Sequence, residues 1–169
     1  EEEMTFDNLI FGFPLAIFVI YLTIAAAFKS YFQPILILFI IPFGIAGAMV
    51  GHFLLGHNLS LMSVFGMVAI SGVLINDAIV LMESIHSRNI RGTEFMQSVI
   101  QGSKRRFRAV FLTSISTIAG LFPLILESNP HIQLVIPMAI SIIGGIFFST
   151  LITLILIPSI LLVLKDIKS

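Results

Sequence analysis

Gly72-Val-Leu-Ile-Asn-Asp-Ala-Ile-Val-Leu-Met-Glu83 sits inside an apolar run that begins near Leu59, and its reading decides the fold. Asp77 is the only ionisable residue well inside a membrane-length segment, apart from His52 near a segment end. A carboxylate at that depth costs about 2.5 to 3.5 kcal/mol on insertion scales. Such residues face a bundle interior or a water-filled path and are functional candidates by default. On a helix, Gly72, Asn76 and Glu83 share one face, flanked by Asp77 and Ser84. Leu74, Ile75, Met82 and Ile85 fall opposite. The pattern predicts a helix that turns its small and polar side inward.

The rest of the composition agrees. The chain has 169 residues, of which 57% are hydrophobic and 11% charged, and its mean hydropathy is +1.09. A soluble domain carries about twice that charged fraction, so the class is all-α integral membrane. Cysteine is absent, which excludes disulfides and thiolate chemistry. Glu1-Glu2-Glu3 has the wrong charge for a signal-peptide n-region and reads as the end of a preceding acidic, soluble segment.

Five spans are expected, at about 9–28, 35–55, 61–84, 109–126 and 132–164, after a polar lead-in over residues 1–8. Pro14 falls in the first turns of the first span, where proline is tolerated. In the second, Gly47 and Gly51 form a small-xxx-small pair that admits a close helix; Gly72 is a third packing candidate. The last run is about 50 Å long as helix. That is too short for two spans and a turn, and comfortable for one tilted span.

Residues 85–108 break the apolar pattern with Arg88, Arg91, Lys104, Arg105, Arg106 and Arg108. Thr93 is the expected N-cap, with Glu94 in the first turn. Phe95, Met96, Val99 and Ile100 then make an apolar stripe, predicting a short amphipathic helix over about 93–103 on the membrane surface. A solvated connector is the alternative. With alternating crossings, the loops at 29–34 and 85–108 and the C-terminus share a side, and together they hold every Lys and Arg. The positive-inside rule makes that side cytoplasmic and the N-terminus external.

Asp77 with Asn76 reads as a protonatable or ion-binding site, against a neutral carboxyl bonded to Asn, Ser or Thr for packing. Thr113, Ser116 and Thr117 offer hydroxyls to a polar path, against packing and back-bonding to the i−4 carbonyl. Arg106 and Arg108 suit the membrane edge, as relay anchors or as topology signals that meet anionic lipid heads. Glu83 and His86 have a metal-pair spacing, but a lone pair is weak and no metal site or cofactor is expected. No protease or nucleophile motif is found, so no enzyme is expected. The basic cluster lacks the composition of a nucleic-acid domain.

The quoted stretch resembles the tenth transmembrane helix of the resistance–nodulation–division (RND) efflux transporters of the acriflavine-resistance type. Phe28-Lys-Ser-Tyr-Phe-Gln-Pro34 and Ile41-Pro-Phe-Gly44 resemble that family's eighth-to-ninth helix region. Arg106-Phe-Arg108, Leu112-Thr-Ser114 and Gly120-Leu-Phe-Pro123 resemble its eleventh helix. Ile136-Pro-Met-Ala-Ile-Ser141, Thr150-Leu-Ile-Thr153 and Pro158 resemble its twelfth. The resemblance implies the last five helices of a twelve-helix, proton-driven antiporter exporting drugs or other amphiphiles. It also implies a homotrimer in the bacterial inner membrane, among membrane lipids, with a periplasmic adaptor and an outer-membrane channel. Well-known members carry lysine at the position of Asn76 and asparagine at that of Asp77. The resemblance assigns Asp77, Asn76, Thr113 and Arg106 to the proton relay. Alternatives are a relative that exports metal ions or lipids or aids protein export, and a structural membrane module without transport.

Overall fold

The computed structural model describes residues 2–90, 94–127 and 129–168, with side chains described over 10–87, 94–127, 129 and 132–163. The described residues form α1 (Glu2–Phe28), α2 (Phe32–Leu38), α3 (Ile41–Leu55), α4 (Leu61–Ile90), α5 (Phe95–Ile125), α6 (Pro130–Gln133) and α7 (Ile136–Lys168). Five stretches are long and apolar enough to cross a membrane: Ile10–Phe28, Phe32–Leu55, Leu61–Ser87, Phe95–Ile125 and Ile136–Val163. The fold is all-α, and the last crossing is one helix, α7, of 33 residues that continues through Gly144, Gly145 and Pro158; residues 132–135 of the expected span lie before it, in α6 and a turn.

Contacts fix the helix directions. Gly44 of α3 meets Gly145 of α7, while Gly51 meets Ile140 and Gly144, so α3 and α7 are antiparallel. Gly66 of α4 meets Met138 and Ser141, and Ile70 meets Gly145, so α4 and α7 are parallel. Gly102 of α5 packs on Ile85 of α4, while Thr113 and Ser114 sit near Asp77, so that pair is antiparallel. The Phe28 ring at the end of α1 meets the His86 ring of α4 edge-on at 6.0 Å. Successive crossings therefore alternate, which puts Lys29 and the Lys104–Arg108 cations at the same end.

Four expectations are corrected. The first eight residues are not a separate lead-in: α1 runs from Glu2, so Pro14 lies in a helix interior. The second span is two helices. Pro42 lacks the N–H that the Leu38 carbonyl would accept in a continuous helix; Phe39 and Ile40 form a turn there, and the Phe43 and Gly44 amides both reach back to the Ile40 carbonyl. The amphipathic segment at 93–103 is not a helix apart. It is the first third of α5, which continues unbroken to Ile125. Val99 and Gly102 are buried, Gly102 against Ile85 of α4, whereas Met96 and Ile100 are exposed. A helix need not stop where the membrane does, and no proline interrupts residues 95–122. Thr93 lies outside the described residues, and Glu94 occupies the cap position.

The fourth correction concerns α4. Leu74, Ile75, Ala78, Leu81, Met82 and Ile85 are buried, whereas Gly72, Asn76 and Glu83 are exposed. The greasy side faces the neighbouring helices of this chain, and the small-and-polar side faces away from them. Lipid is as apolar as leucine, so these helices gain by close van der Waals packing, and small residues permit it. Gly47 and Gly51 meet Gly144 backbone to backbone. Gly72 has nothing within 4 Å of where a Cβ would stand.

Candidate functional site

Asp77 is half-buried on α4. It borders a niche of about 10 Å³ whose walls are Val73 and Leu74 of α4, Thr113, Ser114 and Thr117 of α5, and Ile146 and Thr150 of α7. The meeting follows from the packing: α5 runs antiparallel to α4 and brings its hydroxyl-rich middle to Asp77, while α7 runs parallel and supplies Thr150. Four hydroxyls thus surround one carboxyl. Among the described residues no side chain hydrogen-bonds to that carboxyl, and the niche is of the size that admits about one water.

The hydroxyls are not equivalent. Thr113 Oγ1 donates to the Ala109 carbonyl at 2.9 Å, and Thr117 Oγ1 donates to the Thr113 carbonyl at 2.9 Å. Both follow the back-bonding alternative, leaving only oxygen lone pairs to offer the niche. Ser114 is different. Its Oγ lies 2.8 Å from Thr150 Oγ1 and joins α5 to α7. The sequence reading named Thr113, Ser116 and Thr117 along one face and passed over Ser114. Ser116 is exposed. Ser114 lies about 100° round the helix from Thr113, on the side of Val110, whose burial only the structure shows.

Asn76, next to Asp77, is exposed on the outward side of α4. Arg106 does not line the niche. It is half-buried in a polar cleft of about 420 Å³ with Glu83, Ser84, Ser87, Arg105 and Ala109, two turns along α5 from Thr113. Of the four relay candidates, then, the structure brings Asp77 and Thr113 to one niche, sets Arg106 in a separate cleft, and turns Asn76 outward. Among the described residues no group of three or more His, Asp or Glu side chains is placed to hold a metal.

A second polar cluster lies at the opposite end of α4. His52 is only 3% exposed. Its Nδ1 donates to the Ala48 carbonyl at 3.0 Å, and its Nε2 accepts from Ser63 Oγ at 2.8 Å. Ser141 Oγ of α7 donates to the Ser63 carbonyl at 3.0 Å. Three helices are thereby tied by one imidazole and two hydroxyls. From sequence, His52 was only a histidine near a span end.

Known proteins share this architecture. A crystal structure titled as that of a heavy metal efflux pump superposes with a TM-score of 0.85 at 25% identity, over 97% of this chain and 16% of that one. The swarming motility protein SwrC of Bacillus subtilis is 31% identical over 155 residues, covering 91% of this chain and 15% of SwrC. The multidrug resistance protein MdtC of Erwinia amylovora is 26% identical over 167 residues, covering 98% of this chain and 16% of MdtC. The chain thus spans about a sixth of the length of these relatives. The AcrB/AcrD/AcrF family profile matches residues 1–165, and the chain belongs to that family of RND transporters.

Proposed function

We propose that this chain is the C-terminal membrane portion of a proton-driven pump that exports drugs or other amphiphiles, and that Asp77 is its titrating group. The observation that carries this reading is the placement of Asp77. A carboxyl at mid-span borders a hydroxyl-lined niche on one side and the outward polar face of α4 on the other. An exposed polar face at membrane depth is costly against lipid and suits a second helix bundle. In this reading the missing half of a twelve-helix transporter covers Gly72, Asn76 and Glu83, and Gly72 admits one of its helices closely. A proton taken by Asp77, with Thr113 in the same niche and Arg106 two turns along α5, shifts α4 against α5 and α7, and that shift reaches the export domain.

The same reading sets the chain in the bacterial inner membrane, with its basic end cytoplasmic. It also includes a trimer working with an adaptor and an outer-membrane channel. Asp77→Asn in the full-length pump abolishes or strongly reduces dye efflux while expression holds; unchanged efflux removes the role of Asp77. The TM-score of 0.85 to a heavy metal efflux pump favours metal ions as a second cargo class. Metal-dependent growth of cells carrying the full-length gene, with and without Asp77→Asn, separates the two cargoes.

A further inference from the structure

Ser114 and Thr150 border two spaces at once. On one side is the Asp77 niche. On the other is an apolar groove of about 670 Å³ lined by Phe111, Ile115, Phe122 and Phe147 among others. The hydrogen-bonded pair is thus part of the wall between the carboxyl and an apolar surface. Each hydroxyl owns one proton, and the bond between them uses one of the two. The hydroxyls of Thr113, Thr117, Ser149 and Ser159 each send their proton to the carbonyl four residues back. Among the described residues the second proton of the Ser114–Thr150 pair has no such acceptor. Both residues are buried, at 8% exposed each, and a buried hydroxyl proton is costly to leave unpaired. The strong acceptor bordering the same niche is the Asp77 carboxyl.

We propose that Ser114 and Thr150 act as one positioning unit for Asp77. Facing the carboxylate, the pair donates its spare proton across the niche, directly or through a single water. Facing the neutral acid, the same proton meets the weaker acceptor of the acid's carbonyl oxygen, and the bond to the pair loosens. The state of α4 is thereby written into the α5–α7 contact. Charged groups from the other elements do not compete for this role. Ile146 and Thr150, the α7 wall of the niche, carry no charge. From α5 the niche wall is Thr113, Ser114 and Thr117, none of them charged, and Arg106 sits in a separate cleft. Glu83, on α4 itself, opens to that same cleft.

The proposal rests on the reading of Asp77 as the titrating group, and one experiment separates the two. Infrared difference spectra are recorded across a pH titration of the full-length transporter in liposomes, without substrate. Wild type is compared with Asp77→Asn, Ser114→Ala, Thr150→Val and Thr150→Ser, each checked for folding by gel filtration. The expected result is a carboxyl C=O band that Asp77→Asn removes. Ser114→Ala and Thr150→Val each shift its frequency and move its titration midpoint by about one pH unit, a tenfold change in proton affinity. Thr150→Ser, which keeps the hydroxyl, restores the wild-type band. A band that Asp77→Asn removes but that stays unmoved in Ser114→Ala or Thr150→Val overturns the pairing and leaves the Asp77 reading standing. If Asp77→Asn removes no band, both are overturned. A purely structural role for the two hydroxyls lowers folded yield without moving the band.

Discussion

A Cβ built on Gly47 falls 2.7 Å from the carbonyl oxygen of Gly144, and a Cβ built on Gly144 falls 2.6 Å from that of Gly47. The two glycines are reciprocal: each leaves room for the other's backbone, and the Cβ of Phe148 closes on Gly47 from the same side. Gly51 extends the seam, 3.2 Å from the Gly144 Cα by the same construction. Gly47→Ala puts a methyl group where rigid backbone already stands, a clash that costs about 1–3 kcal/mol. Gly12→Ala meets nothing within 4 Å. Thermal unfolding of the full-length protein in detergent should show a lowered midpoint for Gly47→Ala and none of that loss for Gly12→Ala.

His52 and Ser63 yield a second stability prediction. Ser63→Ala removes the donor to a buried imidazole nitrogen and leaves that nitrogen unpaired, at a cost of about 1–3 kcal/mol. Ser159→Ala removes only a back-bond to the Ile155 carbonyl at an exposed residue and costs less. The unfolding midpoints of the two variants, compared in one detergent, check the order; equal midpoints would mean that the cluster adds nothing to stability.

The fold class and the five crossings were legible because length and hydropathy alone decide them. The single final span was legible because 33 apolar residues cannot cross twice. The facing of α4 was not legible. Moment arguments say that one side of a helix differs from the other, and in water that tells which side is buried. In a bilayer the polar side of Asn76 can seek a partner outside the chain, so polarity does not point to this chain's own core. The break at Phe39 and Ile40 was present in Pro42, but an unbroken apolar run from 35 to 55 hides a helix break, since hydropathy does not register a missing N–H. Asp77 was legible through its cost and Thr113 through its spacing. Ser114 was not, since its partner Thr150 is 36 residues away and only the crossing of α5 and α7 makes them neighbours.

Arg106 and Arg105 are adjacent in sequence and unlike in position: Arg106 is half-buried and Arg105 exposed. Arg106→Ala should lower efflux by the full-length pump about tenfold, the rate equivalent of one charge interaction of about 1.4 kcal/mol. Arg106→Lys keeps the charge and should retain part of the activity. Arg105→Ala should stay close to wild type. Dye-efflux rates at matched expression test the series, and equal losses at the two arginines would reduce Arg106 to a topology signal.

The most direct measurement is proton movement itself. The full-length transporter is reconstituted in liposomes loaded with a pH-sensitive dye, and an imposed proton gradient drives export of a fluorescent cation. Wild type should release protons in step with cargo movement. Asp77→Asn, at equal incorporation, should lose both together. If Asp77→Asn still moves protons and cargo at the wild-type rate, Asp77 is a packing carboxyl and coupling lies elsewhere in the pump.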